Sequence, residues 1–263
     1  MRTAPRRIRG KLESGDKAYG IAVQLPSPEI VEAVGYAGYD FAWIDAEHGA
    51  FDFSDLRELI RAADAVGIDS LVRVADHDPT AIQHALDLGA TGIIAPDVRD
   101  VKQARAIASA GHFAPVGTRG ACPCGRAVGH LSQDWSSDYR RMDADALIFG
   151  IVEHPQGVDN IDSIAHDGGL DGLMFGPFDL AMSLGLGDDI RHPDIEEMHH
   201  RVIEAARAAG VEYVTPNAAW ESDLDATGSR IIPVAGDRAV LVSTFMRLLA
   251  ESSGRSLPST AIV

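Results

Sequence analysis

The 263-residue chain is 46% apolar and 24% charged and carries a formal net charge of −16, a composition sufficient for one sizeable core and read here as a single domain over 1–263. So negative a surface repels nucleic acid and anionic membranes, which leaves small-molecule ligands; an anionic ligand would need local arginines or a metal ion to hold it. The basic start MRTAPRRIRGKLESGDK lacks the apolar run of a secretory signal, and no stretch reaches the ~18 apolar residues of a membrane span, so a cytoplasmic protein is expected.

Short apolar runs alternate with longer segments of helical periodicity along the whole chain. Strands are predicted at 19–25, 41–45, 70–74, 91–96, 147–153, 172–176, 212–216 and 230–235, with helices at 28–37, 54–66, 79–88, 100–110, 159–166, 194–209 and 238–252. Gly67, Gly89, Gly111 and Gly210 follow four of these helices, where glycine suits a helix C-terminus. Parallel strands with crossover helices imply an α/β protein, a (β/α)8 barrel whose chemistry gathers at the C-terminal strand ends. The segment between Gly111 and Asp145 is long for a connecting loop; short helices over the barrel mouth or against a neighbouring subunit are expected there. The tail after Ala250 offers little core and is expected to be loosely held or exchanged between subunits.

A barrel interior is dry, so charge at the end of an apolar strand requires a reason. Asp45, Glu47 and His48 end the second strand in FAWIDAEHG, Arg73 lies in SLVRV, Glu153 ends LIFGIVE, and Asp179 follows MFGPF. Two carboxylates one βα unit apart suit a hard cation such as Mg²⁺ or Mn²⁺. The competing reading makes Glu153 an ion-pair partner and Asp179 a helix cap. His48 has the range for proton transfer near neutral pH, or it serves as a structural imidazole. Arg73 fits a carboxylate or enolate oxygen, or else pairs with Asp45 in the core. Asp87 interrupts an apolar helix face and either orients an imidazole or is simply solvated.

Other features carry less. His77 and Asp78 read as turn and cap before Pro79, and His154 points away from Glu153 if the strand continues. His199 and His200 read as a solvated helix face. Cys122 and Cys124 have no second pair elsewhere and read as loop thiols. The lysines are Lys11, Lys17 and Lys102, none well placed for a Schiff base at the barrel mouth. Carbonyl chemistry would therefore be metal-assisted. No Walker or dinucleotide glycine loop appears.

The blocks IDAEHG (44–49), VRV around Arg73, LDLGATGIIAPDV (86–98), PVGTRG (115–120), IVEHPQGVDNIDSI (151–164), LDGLMFGPFDLAMSLG (170–185) and PVAGD (233–237) together resemble the HpcH/HpaI aldolase family, the metal-dependent class II pyruvate aldolases. The resemblance covers nearly the whole chain and implies a barrel of the phosphoenolpyruvate/pyruvate type. It implies Glu153 and Asp179 as ligands of Mg²⁺, Mn²⁺ or Co²⁺. Arg73 would hold the keto oxygen and the enolate, and His48, paired with Asp87, would move the proton. The turn Gly176-Pro177 would seat the pyruvyl carboxylate on the backbone N–H groups around Phe178 and Asp179. The implied reaction is cleavage of a 4-hydroxy-2-oxo acid to pyruvate and an aldehyde, in a homo-oligomer (trimer or hexamer) with GTRGACPCGRA and the C-terminal helix at subunit contacts. Two departures stand out: Ile151 replaces a Gln common in the family, and His154 a small hydroxyl residue. The alternatives are an acyl-CoA lyase of the citrate or malyl type and a non-catalytic barrel that binds an organic acid.

Overall fold

The computed structural model describes residues 7–221 and 223–254. Strands β1 (Ala18–Val23), β2 (Phe41–Asp45), β3 (Asp69–Arg73), β4 (Gly92–Ala95), β5 (Leu147–Val152), β6 (Gly172–Phe175), β7 (Glu212–Val214) and β8 (Ile231–Gly236) pair in parallel, in chain order, and close into a barrel. The expected (β/α)8 fold is present. Around it run α1 (Arg7–Ser14), α2 (Pro28–Tyr36), α3 (Phe53–Val66), α4 (Pro79–Asp87), α5 (Val101–Gly111), α6 (Trp135–Asp145), α7 (Pro155–Asp159), α8 (Ile161–Asp167), α9 (Pro177–Ser183), α10 (Pro193–Ala209), α11 (Leu224–Thr227) and α12 (Asp237–Ser253). Among the described residues no helix is long and apolar enough to cross a membrane.

Local chemistry sets most helix starts. Asp52 caps α3 in a reciprocal box with Asp55, Asp78 caps α4 just before Pro79, and Asp100 caps α5. Proline occupies the first position of α2, α4, α7, α9 and α10, where its missing N–H costs no helical bond.

The strand alternation divides the core in two. Outward side chains such as Ala42, Ile44 and Val72 meet the helices, whereas Phe41, Trp43, Leu71, Ile94, Phe149, Ile151 and Met174 fill the barrel interior. Glycine makes room for the large rings: a Cβ on Gly20 would stand 2.3 Å from Phe41 Cε2. With a period of two, the next inward positions after Trp43, Leu71 and Ile151 are Asp45, Arg73 and Glu153. The pattern that packs the interior thus delivers three ionisable groups to one end of it.

Several expectations need correction. The connection between α5 and β5 runs from a helix C-terminus to a strand N-terminus, so chain order puts it at the foot of the barrel, opposite the mouth. Its short helices exist, Arg126–Val128 as a 3₁₀ turn and α6, but they are anchored at that foot: Arg9 of α1 donates to the Asp145 and Ala146 carbonyls, and Arg126 to that of Leu88. The 159–166 helix is split at Asn160 into α7 and α8. Gly67 and Gly210 end their helices in the left-handed region, but Gly111 closes α5 for a steric reason, since a Cβ there would lie 2.5 Å from Ile148 Cδ1. His199 is buried, 4% exposed, because it continues the apolar stripe of Ile195, Val202, Ile203 and Ala206; the solvated-face reading holds for exposed His200 alone. Of the tail after Ala250, residues 255–263 lie outside the described residues.

Candidate active site

Register brings the first two groups together. Asp45 and Arg73 are paired residues of adjacent strands, and Arg73 grips the carboxylate with two prongs, Nε to Oδ1 at 2.8 Å and Nη2 to Oδ2 at 2.5 Å. Gln24 Nε2 and the backbone N–H groups of Glu47 and His48 also donate to Asp45. Burial pushes the Asp45 carboxyl up, but these donors, Arg73 foremost, hold it below its ordinary value. Arg73 makes a further ion pair with Glu47 at 3.0 Å and lies over the Trp43 ring at 5.3 Å. The core-pairing reading of Arg73 is therefore present in the structure, and the same guanidinium lines a cleft.

Glu153 follows β5 and is 7% exposed. Its Oε1 accepts from the Asp97 N–H at 2.6 Å. Gly176 stands beside it because β5 and β6 run in register, and a Cβ on Gly176 would come within 2.4 Å of the Glu153 Cβ and 2.6 Å of Oε2. Asp179 occupies the first turn of α9 without capping it. That position belongs to Gly176, which offers no side-chain bond, so the N–H groups of Phe178 and Asp179 lack a side-chain cap.

This arrangement fits a divalent cation. Burial, with Asp179 and Glu47 nearby, pushes the Glu153 carboxyl up to about 7 against the opposing pull of the Asp97 N–H and Arg73. A buried acid with two further carboxylates beside it calls for a positive partner, and an all-oxygen set suits Mg²⁺, Mn²⁺ or Co²⁺. No group of three or more metal-ligating side chains forms among the described residues. Glu153 and Asp179 would therefore hold the ion together with water or ligand oxygens.

A thermal consequence follows. An acid whose folded pKa exceeds its unfolded value contributes stability below the unfolded value, here 4.5, and loses it as pH rises through about 7. A cation relieves the ionised state and competes with the proton. Saturating Mg²⁺ or Mn²⁺ is thus expected to raise the Tm of EDTA-stripped protein more at about pH 8 than at about pH 5.5. Equal shifts at both values in scanning calorimetry would contradict the assignment.

The cleft, about 470 Å³, is lined by His48, Arg73, Glu153, Asp179 and the Gly176–Pro177–Phe178 turn. His48 stands at its rim with a side chain 56% exposed, 3.8 Å from Glu47. Asp87 is not brought there. It ends α4, whose C-terminus faces the foot of the barrel, and its carboxylate accepts from Arg119 Nη2 at 2.6 Å. Within one chain His48 and Asp87 occupy opposite ends, so a pairing of the two requires a second copy.

Sequence reasoning passed over Trp43, Arg191, Asn217 and Trp220, which also line the cleft. Trp43 was legible, being two residues before Asp45 on an alternating strand. The other three sit on connections with no period to read. Asp237, inside the PVAGD block, accepts from the Gln24 and Leu25 N–H groups and ties β8 to the end of β1. Cys122 and Cys124 are exposed free thiols.

A closed parallel barrel with buried carboxylates, a paired arginine and a histidine at one mouth defines a (β/α)8 protein whose ionisable groups gather where its strands end, the end at which such barrels carry their chemistry. Residues 19–243 match the family model HpcH/HpaI aldolase/citrate lyase, and the chain belongs to that family. It is 33% identical over 242 residues to 2-dehydro-3,6-dideoxy-6-sulfogluconate aldolase of Pseudomonas putida, covering 91% of this chain and 94% of that protein. It is 32% identical over 246 residues to hydroxypyruvate/pyruvate aldolase of Roseobacter denitrificans, again covering 91% and 94%. Among solved structures, an HpcH/HpaI aldolase/citrate lyase family protein from Burkholderia cenocepacia J2315 superposes with a TM-score of 0.87 at 31% identity, covering 94% of this chain and 99% of that one. These relatives support aldolase-type cleavage and membership of a lyase family.

Proposed function

We propose that the protein cleaves a 4-hydroxy-2-oxo acid reversibly to pyruvate and an aldehyde, with Mg²⁺, Mn²⁺ or Co²⁺ held by Glu153 and Asp179. The convergence of Glu153, Asp179, Arg73 and His48 on one cleft carries this reading. When bound, the cation supplies Lewis acidity toward the 2-oxo and carboxylate oxygens of the substrate. The uncapped N–H groups of Phe178 and Asp179, beyond Gly176 and Pro177, receive the substrate carboxylate. Arg73, immobilised by Asp45, holds positive charge where the 2-oxo oxygen becomes an enolate, and needs no reorganisation to do so. His48 takes the 4-hydroxyl proton, directly or through a water. The C3–C4 bond breaks with its electron pair left on C3, C4 departs as the aldehyde carbon, and a proton delivered to C3 releases pyruvate.

Asp87 orients His48 in this proposal only across a contact between copies of the chain. Exposed Val242, Phe245 and Leu249 of α12, with Phe178 and Met182 beside the cleft, support a homo-oligomer.

The test is pyruvate release from a panel of 4-hydroxy-2-oxo acids, coupled to lactate dehydrogenase, on EDTA-stripped protein resupplied with each cation. Metal-restored cleavage is expected, and His48→Ala should lower it by about 10²- to 10⁴-fold, the usual worth of a positioned proton-transfer group. Pyruvate from no donor with any cation would favour an acyl-CoA lyase or a binding barrel instead.

A further inference from the structure

Arg191, in the connection between α9 and α10, has no part in the chemistry above, yet it lines the same cleft. Its guanidinium stacks on the Trp220 ring, 3.9 Å from the centroid. One arm donates to the Trp220 carbonyl and the other to Glu196 Oε1 at 3.0 Å. Of the five N–H donors of an arginine, the described residues engage two. Glu196 is a replaceable partner, because both side chains of the pair are substantially exposed, 48% and 37%, and such pairs are weak.

The surface behind Arg191 is rigid. Trp220 is 6% exposed, and its indole N–H finds no acceptor among the described residues. The loop that carries it is pinned from beneath by Glu221, whose Oε1 accepts from the Tyr213 hydroxyl at 3.1 Å and the Thr215 hydroxyl at 2.9 Å. Buried His199 closes the cluster, 2.6 Å from the Tyr213 hydroxyl and 3.4 Å from Glu221. Phe175 stacks against both His199 and Trp220. The guanidinium plane is therefore held in place before any ligand arrives.

Charge decides what that plane is for. The cationic side chains among the described lining residues are Arg73 and Arg191, with His48 when protonated. Arg73 is committed to Asp45 and Glu47. On a chain of net charge −16, an anion far from the metal carboxylates needs a cation of its own. We propose that Arg191, backed by Trp220, is the subsite for an anionic group at the end of the substrate remote from its 2-oxo acid head, so that the favoured aldehyde carries a carboxylate or a comparable anion. This inference rests on the aldolase reading for its account of the head group.

The deciding measurement compares two 4-hydroxy-2-oxo acids of equal length, one ending in a carboxylate and one in an amide, with the wild type, Arg191→Met and Arg191→Lys. The ratio of their kcat/KM values is expected to favour the carboxylate by about 10- to 100-fold in the wild type, the worth of a charge-assisted contact. It should fall to near unity in Arg191→Met and partway in Arg191→Lys, which keeps the charge and loses the fork. No preference in the wild type, or a loss in Arg191→Met that leaves the ratio unchanged, would overturn the proposal and leave Arg191 as a pin for the Trp220 loop. Pyruvate from neither substrate would count against the aldolase reading alone. Calorimetric binding of 2-oxoadipate against 2-oxohexanoate then decides the subsite: tighter binding of the diacid that is lost in Arg191→Met upholds it, and equal binding overturns it.

Discussion

Replacing Glu153 by glutamine is expected to abolish most metal-restored pyruvate release, by roughly a thousandfold, the rate equivalent of the several kcal/mol that a bound Lewis acid supplies. The amide keeps the shape of the side chain and an oxygen that can accept from the Asp97 N–H. It removes the charge that burial already disfavours, as the rise of the carboxyl to about 7 shows. The metal-free variant should therefore be as stable as the stripped wild type at about pH 8, or more so, by up to about 3 kcal/mol if the full linkage is realised. Its Tm should no longer respond to Mg²⁺ or Mn²⁺. A variant that unfolds without metal would mark Glu153 as structural, and one that keeps metal-restored activity would remove it from the site.

Arg73 should behave in the opposite way, failing in fold and function together. Its side chain satisfies both oxygens of an Asp45 that is 1% exposed, so Arg73→Met leaves that carboxylate with Gln24 and two backbone N–H groups. A destabilisation of about 3–5 kcal/mol is expected from the uncompensated buried charge, visible in the midpoint of denaturant unfolding. Activity should fall by about 10²- to 10³-fold through loss of the charge opposite the developing enolate. The double variant Arg73→Met with Asp45→Asn separates the two roles. It should recover most of the stability and none of the rate. Recovery of both would reduce Arg73 to a structural pair, and recovery of neither would indicate that packing on Trp43 dominates.

These contrasts show which parts of the site are readable from the chain. Alternation in FAWID and LIFGIVE marks Asp45 and Glu153 as inward, since a strand that fills a barrel commits every second residue to its interior. The glycine and proline of Gly176-Pro177 announce a helix start beside Asp179, although the cap itself is Gly176. Spacing, however, could not tell whether Arg73 belonged to a substrate or to Asp45. Strand register set Arg73 beside Asp45, and the same guanidinium also lines the cleft.

Local pattern thus determined the order of the eight strands and the principal helices, the barrel and the candidates at its strand ends, because periodicity records which face of each element is buried. Only the closed structure decided which end each group reaches. Asp87 and the long connection before β5 lie at the foot because helices run back against the strands that precede them. His199 is buried since the α10 stripe passes through it, and Arg191 meets Trp220 because two aperiodic connections converge once the barrel closes. Such meetings depend on contacts between residues far apart in the chain, which no local period encodes.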